Sequence, residues 1–279
     1  MRLGSYFRLM RFHKPVGILL LWFPTAWALW IANNNNPPVQ LIAYFLLGTV
    51  FMRAAGCVVN DIADRNIDKH VKRTKERPLT CGEVNLAEAL ILLLILLFAA
   101  LLIVMQLPAS CFYYALFAVV ITVLYPFCKR FLQAPQLVLG LAFSMGIPMA
   151  FSASHALFDY RFVLLLAINF AWIIAYDTMY AMVDRADDLR IGVKSTAIFF
   201  ADYDRMAILF LQISFHSSWL VLAYFMHLSS LFYAAWGLAA LVLLYQQQLV
   251  NSRIEKACFK AFSCNNWYGL IMWLGIIAH

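Results

Sequence analysis

The chain has 279 residues, of which 64% are hydrophobic and 13% charged, with a formal net charge of +7. Soluble domains are about 45–50% apolar and about 25% charged. A chain this apolar has too little polar surface to cover its core, which excludes a soluble globular domain, and its composition also excludes a disordered chain or a coiled coil. An all-α polytopic membrane protein remains.

A membrane helix requires about 20 mostly apolar residues. Nine stretches supply them: 16–32, 40–59, 86–106, 109–125, 135–154, 162–183, 206–226, 229–245 and 264–278. The first holds Trp22, Trp27 and Trp30 and lacks a small-residue cleavage site, so it reads as a retained span and not a leader. With the N-terminus in the cytoplasm, 19 of the 21 Lys and Arg fall in cytoplasmic segments, and the exceptions are Arg53 inside a span and Arg161 in a short external loop. This asymmetry predicts an odd number of spans, with a cytoplasmic N-terminus and an external C-terminus. The positive charge is therefore mainly a topology signal, spread over five segments, and not a nucleic-acid footprint. The six cysteines form no C-x-x-C pair and read as free thiols.

Polar residues gather at the cytoplasmic ends of two spans. After span 2, Asn60, Asp64 and Asp68 fall at i, i+4 and i+8 if the helix continues, with Asp61 beside them. The loop then supplies Lys72, Arg73, Lys75 and Arg77. Span 4 runs into Lys129 and Arg130. At span 6, Asp177, Asp184 and Asp188 share a face, Asp187 lies close by, and Lys194 follows. Carboxylates about 6 Å apart repel by roughly 3 kcal/mol at an effective dielectric near 20, so cations belong among them. One reading is a solvated charged face neutralised by Arg65, Lys69 and Arg185. The other is a pair of facing carboxylate walls that bind Mg²⁺, with Lys and Arg holding a diphosphate. Arg53, seven residues before Asn60, is either a structural ion pair or the receptor for a small acidic substrate.

Four segments carry a family likeness. N-D-x-x-D-x-x-x-D-x-x-V-x-R-T-x-x-R-P-L at 60–79 resembles the first signature of the UbiA superfamily of intramembrane prenyltransferases, and D-x-x-Y-A-x-x-D-x-x-D-D-x-x-x-G-x-K-S at 177–195 resembles the second. Y-P-x-x-K-R-x-x-x-x-P-Q-x-x-L-G at 125–140 and R-x-x-K-P-x-G-x-L-L-L at 11–21 narrow it to the bacterial branch that prenylates 4-hydroxybenzoate in ubiquinone synthesis. One departure is His13, where the family pattern has an acidic residue.

The resemblance implies one domain over 1–279, with nine transmembrane helices around a central cavity under a cytoplasmic cap. A weak internal likeness suggests two four-helix halves plus a ninth helix. It further implies a bacterial inner-membrane enzyme that uses Mg²⁺ and transfers a polyprenyl group from its diphosphate to the ring of 4-hydroxybenzoate. By motif position, Asn60, Asp64 and Asp68 bind one metal with Asp61 close by, and Asp184 and Asp188 bind the second. Arg130 with Lys129 holds the diphosphate, helped by Lys194 and by Arg73 and Arg77 of the basic loop. Asp177 is the candidate acceptor of the ring proton, and Arg53 the candidate receptor of the acceptor carboxylate. Rival readings are a related prenyltransferase acting on a naphthoate, homogentisate or haem, a Mg²⁺-dependent lipid-headgroup phosphotransferase, and a polytopic transporter.

Overall fold

The computed structural model describes residues 2–279, and among these it contains helices and turns but no strand. In chain order the helices are α1 (Arg2–Leu9), α2 (Val16–Ala32), α3 (Val39–Asp64), α4 (Leu86–Val104), α5 (Ala109–Cys128), α6 (Gln136–Ser144), α7 (Gly146–Ala153), α8 (Tyr160–Ile191), α9 (Thr196–Phe199), α10 (Asp204–Met226), α11 (Ser230–Asn251) and α12 (Glu255–Ile277). Short 3-10 turns at Asp68–His70 and Ala201–Tyr203 precede α4 and α10.

Each apolar stretch of the sequence is helical. Six segments are long and apolar enough to cross a membrane: α3, α4, α5, the α6–α7 pair, α8, and Ala201–Met226 containing α10. Apolar α2 is shorter, at 17 residues. Along α4 and α5, large apolar side chains such as Leu94, Phe98, Leu116 and Phe117 point outward, as suits a surface solvated by lipid.

Local chemistry sets the boundaries. Asn85 accepts from the Glu88 N–H while the Glu88 side chain accepts from the Asn85 N–H, a reciprocal cap that starts α4. Gly192, at φ 74°, ends α8 in a left-handed turn that a side chain would strain. The stretch expected as one span over 135–154 is one membrane-length segment, Gln136–Ala153, with its hydrogen-bond ladder interrupted at Met145, whose backbone stays α-helical. Pro148 is the cause: it has no N–H to offer Ser144, four residues earlier, and its ring crowds that carbonyl.

The bundle is solid on one side and hollow on the other. Trp27 of α2, Trp172 of α8 and Trp219 of α10 are fully buried, with the Trp27 ring 5.0 Å from Trp172 and 5.2 Å from Trp219. Two indoles find buried acceptors, Trp27 Nε1 donating to the Gly269 carbonyl at 3.2 Å and Trp172 Nε1 to Asn265 Oδ1 at 2.9 Å. These contacts lock α2, α8, α10 and α12 together. The space bordered by α3 to α7 stays open instead, and both cavities described below reach into it.

Candidate active site

The two acid walls rest on the two longest helices. α3 has 26 residues and α8 has 32, so each carries its last turns well past its apolar stretch. α3 delivers Asn60, Asp61 and Asp64, and α8 delivers Asp177, Asp184 and Asp188. The expected helical run to Asp68 is corrected: α3 ends at Asp64, and Asp68 lies on a separate 3-10 turn. Arg77 draws it back, with Nη1 2.7 Å from Asp68 Oδ2, and Thr74 Oγ1 donates to the Asp68 carbonyl at 3.0 Å. All these acids, with Asn60, line one cavity of about 530 Å³.

The cations placed among them are not those of the solvated-face reading. Fully buried Asp61 accepts from Arg11 Nη2 at 2.7 and 3.0 Å and from Arg77 Nη1 at 3.0 Å. Lys129 Nζ lies 3.1 Å from Asn60 Oδ1 and 3.2 Å from Asp64 Oδ2. Arg73 grips Asp184 through two nitrogens, one at 2.9 Å, and donates to the Tyr180 hydroxyl at 2.6 Å. The Lys72 N–H donates to Asp187 at 3.0 Å. The 65–85 loop is thus strapped across to α8. Arg185 leaves the site altogether and pairs with Asp204. Burial holds the Asp68 carboxyl above its ordinary range, against the opposing pull of Arg77 and with added repulsion from Asp61. Burial alone would lower Arg77, yet Asp61 and Asp68 hold its guanidinium above its usual value.

Arg130 and Asp61 are placed differently from the other expected site residues. Arg130 does not line the cavity: α5 ends at Cys128, and the following turn aims Lys129 inward and Arg130 outward, where Nη2 donates to the Ala63 carbonyl at 3.0 Å and the guanidinium lies over Phe127. Asp61 lines the cavity but already accepts from two arginines, Arg11 and Arg77. Lys194 does line the cavity, with Nζ on the Phe131 carbonyl at 3.1 Å. Arg11 and Tyr180 were missed as site residues. Arg11 begins the R-x-x-K-P segment and Tyr180 sits in the Y-A pair of the second signature, so both were visible but without a partner to explain them.

The carboxylate and amide oxygens of the two walls are donors that suit a hard divalent ion, with Cys57 and His13 elsewhere in the cavity lining. Among the described residues, no three His, Cys, Asp or Glu side chains close around one point.

Arg53 forms the floor. It is half-buried in α3, its Nε has no hydrogen-bond partner, and its guanidinium lies 5.7 Å from the Phe143 ring centre. Gly17 makes room for it, because a Cβ there would run into the guanidinium. Below Arg53 lies a second chamber of about 330 Å³, lined almost wholly by apolar residues of α2 to α7. Arg53, Gly56, Thr122, Ala142 and Phe143 border both spaces, which therefore lie side by side. A charged compartment borders a greasy one.

The chain is 62% identical over 273 residues to 4-hydroxybenzoate octaprenyltransferase of Legionella pneumophila (strain Lens), covering 98% of this chain and 97% of that protein. Among solved structures, an apo UbiA homolog from Aeropyrum pernix K1 superposes with a TM-score of 0.76 at 23% identity, covering 93% of this chain and 97% of the other. A UbiA homolog from Archaeoglobus fulgidus bound to GPP and Mg²⁺ superposes with a TM-score of 0.74 at 20% identity, covering 99% and 100%. The profile of the UbiA prenyltransferase family matches residues 21–274, a region that takes in both acid walls and the apolar chamber, and the chain belongs to that family.

Proposed function

We propose that this protein transfers a polyprenyl group from polyprenyl diphosphate to the ring of 4-hydroxybenzoate, at the carbon ortho to the hydroxyl, releasing diphosphate in ubiquinone biosynthesis. One observation carries the reading: two carboxylate walls with cations between them stand over Arg53, a half-buried arginine whose Nε has no hydrogen-bond partner among the described residues, beside an apolar chamber. That sequence of environments matches a substrate pair with a diphosphate head, an isoprenoid tail and an aromatic carboxylate. The 62% identity to an enzyme of this name supports it.

Asn60, Asp64 and Asp68 would hold one Mg²⁺, and Asp184 and Asp188 a second. When bound, the metal supplies positive charge that offsets the charge growing on the leaving diphosphate. Arg73 and Lys129 now neutralise the acids, and they are placed to turn to the diphosphate once it arrives. Arg77 and Lys194 add charge to the same cavity. Arg130 steadies the loop that presents Lys129. The allylic C–O bond breaks and diphosphate leaves with the electron pair. Help aimed at charge that develops only during bond breaking lowers the barrier directly. Arg53 binds the acceptor carboxylate, so the ring carbon faces the allylic centre and a C–C bond forms. Asp177, on the α8 wall, takes the ring proton. Apolar walls exclude water that would turn the allylic cation into an alcohol, and the chamber below Arg53 receives the first isoprene units of the tail.

The same reading covers the whole chain. Residues 1–279 form one domain of nine spans in the bacterial inner membrane, with the acid walls beneath a cytoplasmic cap and the C-terminus outside. The weak internal likeness divides it into two four-helix halves plus a ninth helix. Purified protein, Mg²⁺, geranyl or octaprenyl diphosphate and a mixture of aromatic acids test the chemistry together. Mass spectrometry should find prenylated 4-hydroxybenzoate as the main product. A prenylated naphthoate or homogentisate instead would overturn the acceptor, and no prenylated product at all would overturn the reaction.

A further inference from the structure

The charged side chains at the end of α8 point in different directions. Asp184 accepts from Arg73, Asp187 pairs with Arg190, and Asp188 lines the cavity with no ion pair among the described residues. Arg185 turns away from the cavity. Yet Arg185 is three positions from Asp188, and side chains at that helical spacing are neighbours. A free arginine there would compete with a metal ion for the Asp188 carboxylate.

Asp204, the first residue of α10, prevents this. Its fully buried carboxylate accepts from Arg185 Nη1 at 3.1 Å, from Arg253 Nη2 at 2.7 Å and from the Arg205 N–H at 2.7 Å. Arg253, from the α11–α12 connection, also donates to the Asp202 carbonyl at 2.7 Å. Its backbone is left-handed, with φ 51°, as is that of Ala201, with φ 48°. Such conformations cost a residue with a side chain on the order of 1–3 kcal/mol and persist where the surroundings over-determine them. Neither Asp204 nor Arg185 lines the cavity.

We infer that Asp204 is a positioning residue: it holds Arg185 off the second acid wall and so keeps Asp188 open to a metal ion. The inference rests on the metal role proposed above for Asp184 and Asp188. The test measures Mn²⁺ binding by loss of the free-ion electron paramagnetic resonance signal, with inorganic diphosphate present and no turnover. Asp204→Asn should weaken Mn²⁺ binding about tenfold, the low end for residues that orient metal ligands. The double variant Asp204→Asn/Arg185→Gln should return to within about twofold of wild type, since the competitor is gone. A structural role alone would leave the double variant as weak as the single one, and that result overturns the inference, as does a wild-type affinity in Asp204→Asn. Should Asp204→Asn fail to fold, Arg185→Gln decides, because it leaves Arg253 on Asp204. It should bind Mn²⁺ as wild type does, and a change beyond about fivefold would place Arg185 on the acid wall already and overturn the inference. Wild-type protein that binds no Mn²⁺ would overturn both this inference and the metal reading beneath it.

Discussion

At the scale of single residues, charge and space must be separated. Asp64→Asn and Asp184→Asn keep shape and remove charge, so each should cost about 10²–10³ in kcat, comparable to losing one preorganised electrostatic contact. Melting temperature should move far less than activity, because Asn keeps a hydrogen-bonding oxygen for Lys129 or Arg73, and both cations stay partly exposed to solvent. Near-wild-type turnover in both variants would end the metal reading. Arg53→Ala should raise the KM for 4-hydroxybenzoate about 10–100-fold, the equivalent of one charged hydrogen bond at roughly 1.5–3 kcal/mol, with the donor KM almost unmoved. Gly17→Ala should shift the same constant in the same direction, because the new Cβ displaces the Arg53 guanidinium. Equal changes in both KM values would return Arg53 to a structural role. Asp68 bears on pH. Burial holds its carboxyl above the ordinary range in the folded protein. Between the ordinary value and the raised one, the folded state keeps a proton that the unfolded state has lost. Its contribution is therefore fully present at low pH and is lost as pH rises through the raised value. Melting of metal-free protein from pH 3 to 8 should show that decline in wild type and a smaller one in Asp68→Asn.

At the scale of elements, the two breaks in helical continuity matter most. The break after Asp64 lets the chain turn back, so Asp68, Arg73 and Arg77 reach the site from above while Asn60 and Asp64 reach it from the helix. A straight helix would have carried Asp68 away along its axis at 1.5 Å per residue. The break at Met145 shapes the chamber, where Met145, Gly146 and Met149 form one wall. Proline in a helix interior is disfavoured by about 3 kcal/mol, so Pro148→Ala should restore the hydrogen-bond ladder from α6 into α7 and keep or raise the melting temperature. Activity should fall in the same variant, more steeply with a long donor than with geranyl diphosphate, as the chamber wall shifts. A stable variant with unaltered donor preference would show that the break has no part in tail binding.

At the scale of the whole molecule, function follows from a bundle packed unevenly. The indole cluster fixes one side, and that rigidity lets the α3–α7 side stay hollow without collapse. A long isoprenoid needs such a route, since a filled core would leave its tail no path from the bilayer to the diphosphate site. The charge asymmetry sets the orientation proposed for this bundle. A reporter fused after His279 should lie outside the cytoplasm, and one inserted in the 65–85 loop inside. Both on the same side would contradict the odd span count.

The sequence by itself determined the membrane class, the helical stretches, the family and the two acid clusters, because these depend on local properties: apolar length, charge placement and motif spacing. Period alone put Asp184 and Asp188 on one face, since an unbroken helix has only one geometry. The tertiary structure decided what spacing does not encode. It chose Arg11, Arg77, Lys129 and Arg73 as counter-charges over the nearer Arg65 and Lys69, because ion pairing acts through space and not along the chain. It turned Arg130 outward and Lys129 inward, a choice made by one turn after α5. It also left Arg53 at the seam between a charged cavity and an apolar chamber, because a cavity is the space that several packed helices leave between them and belongs to no single one of them.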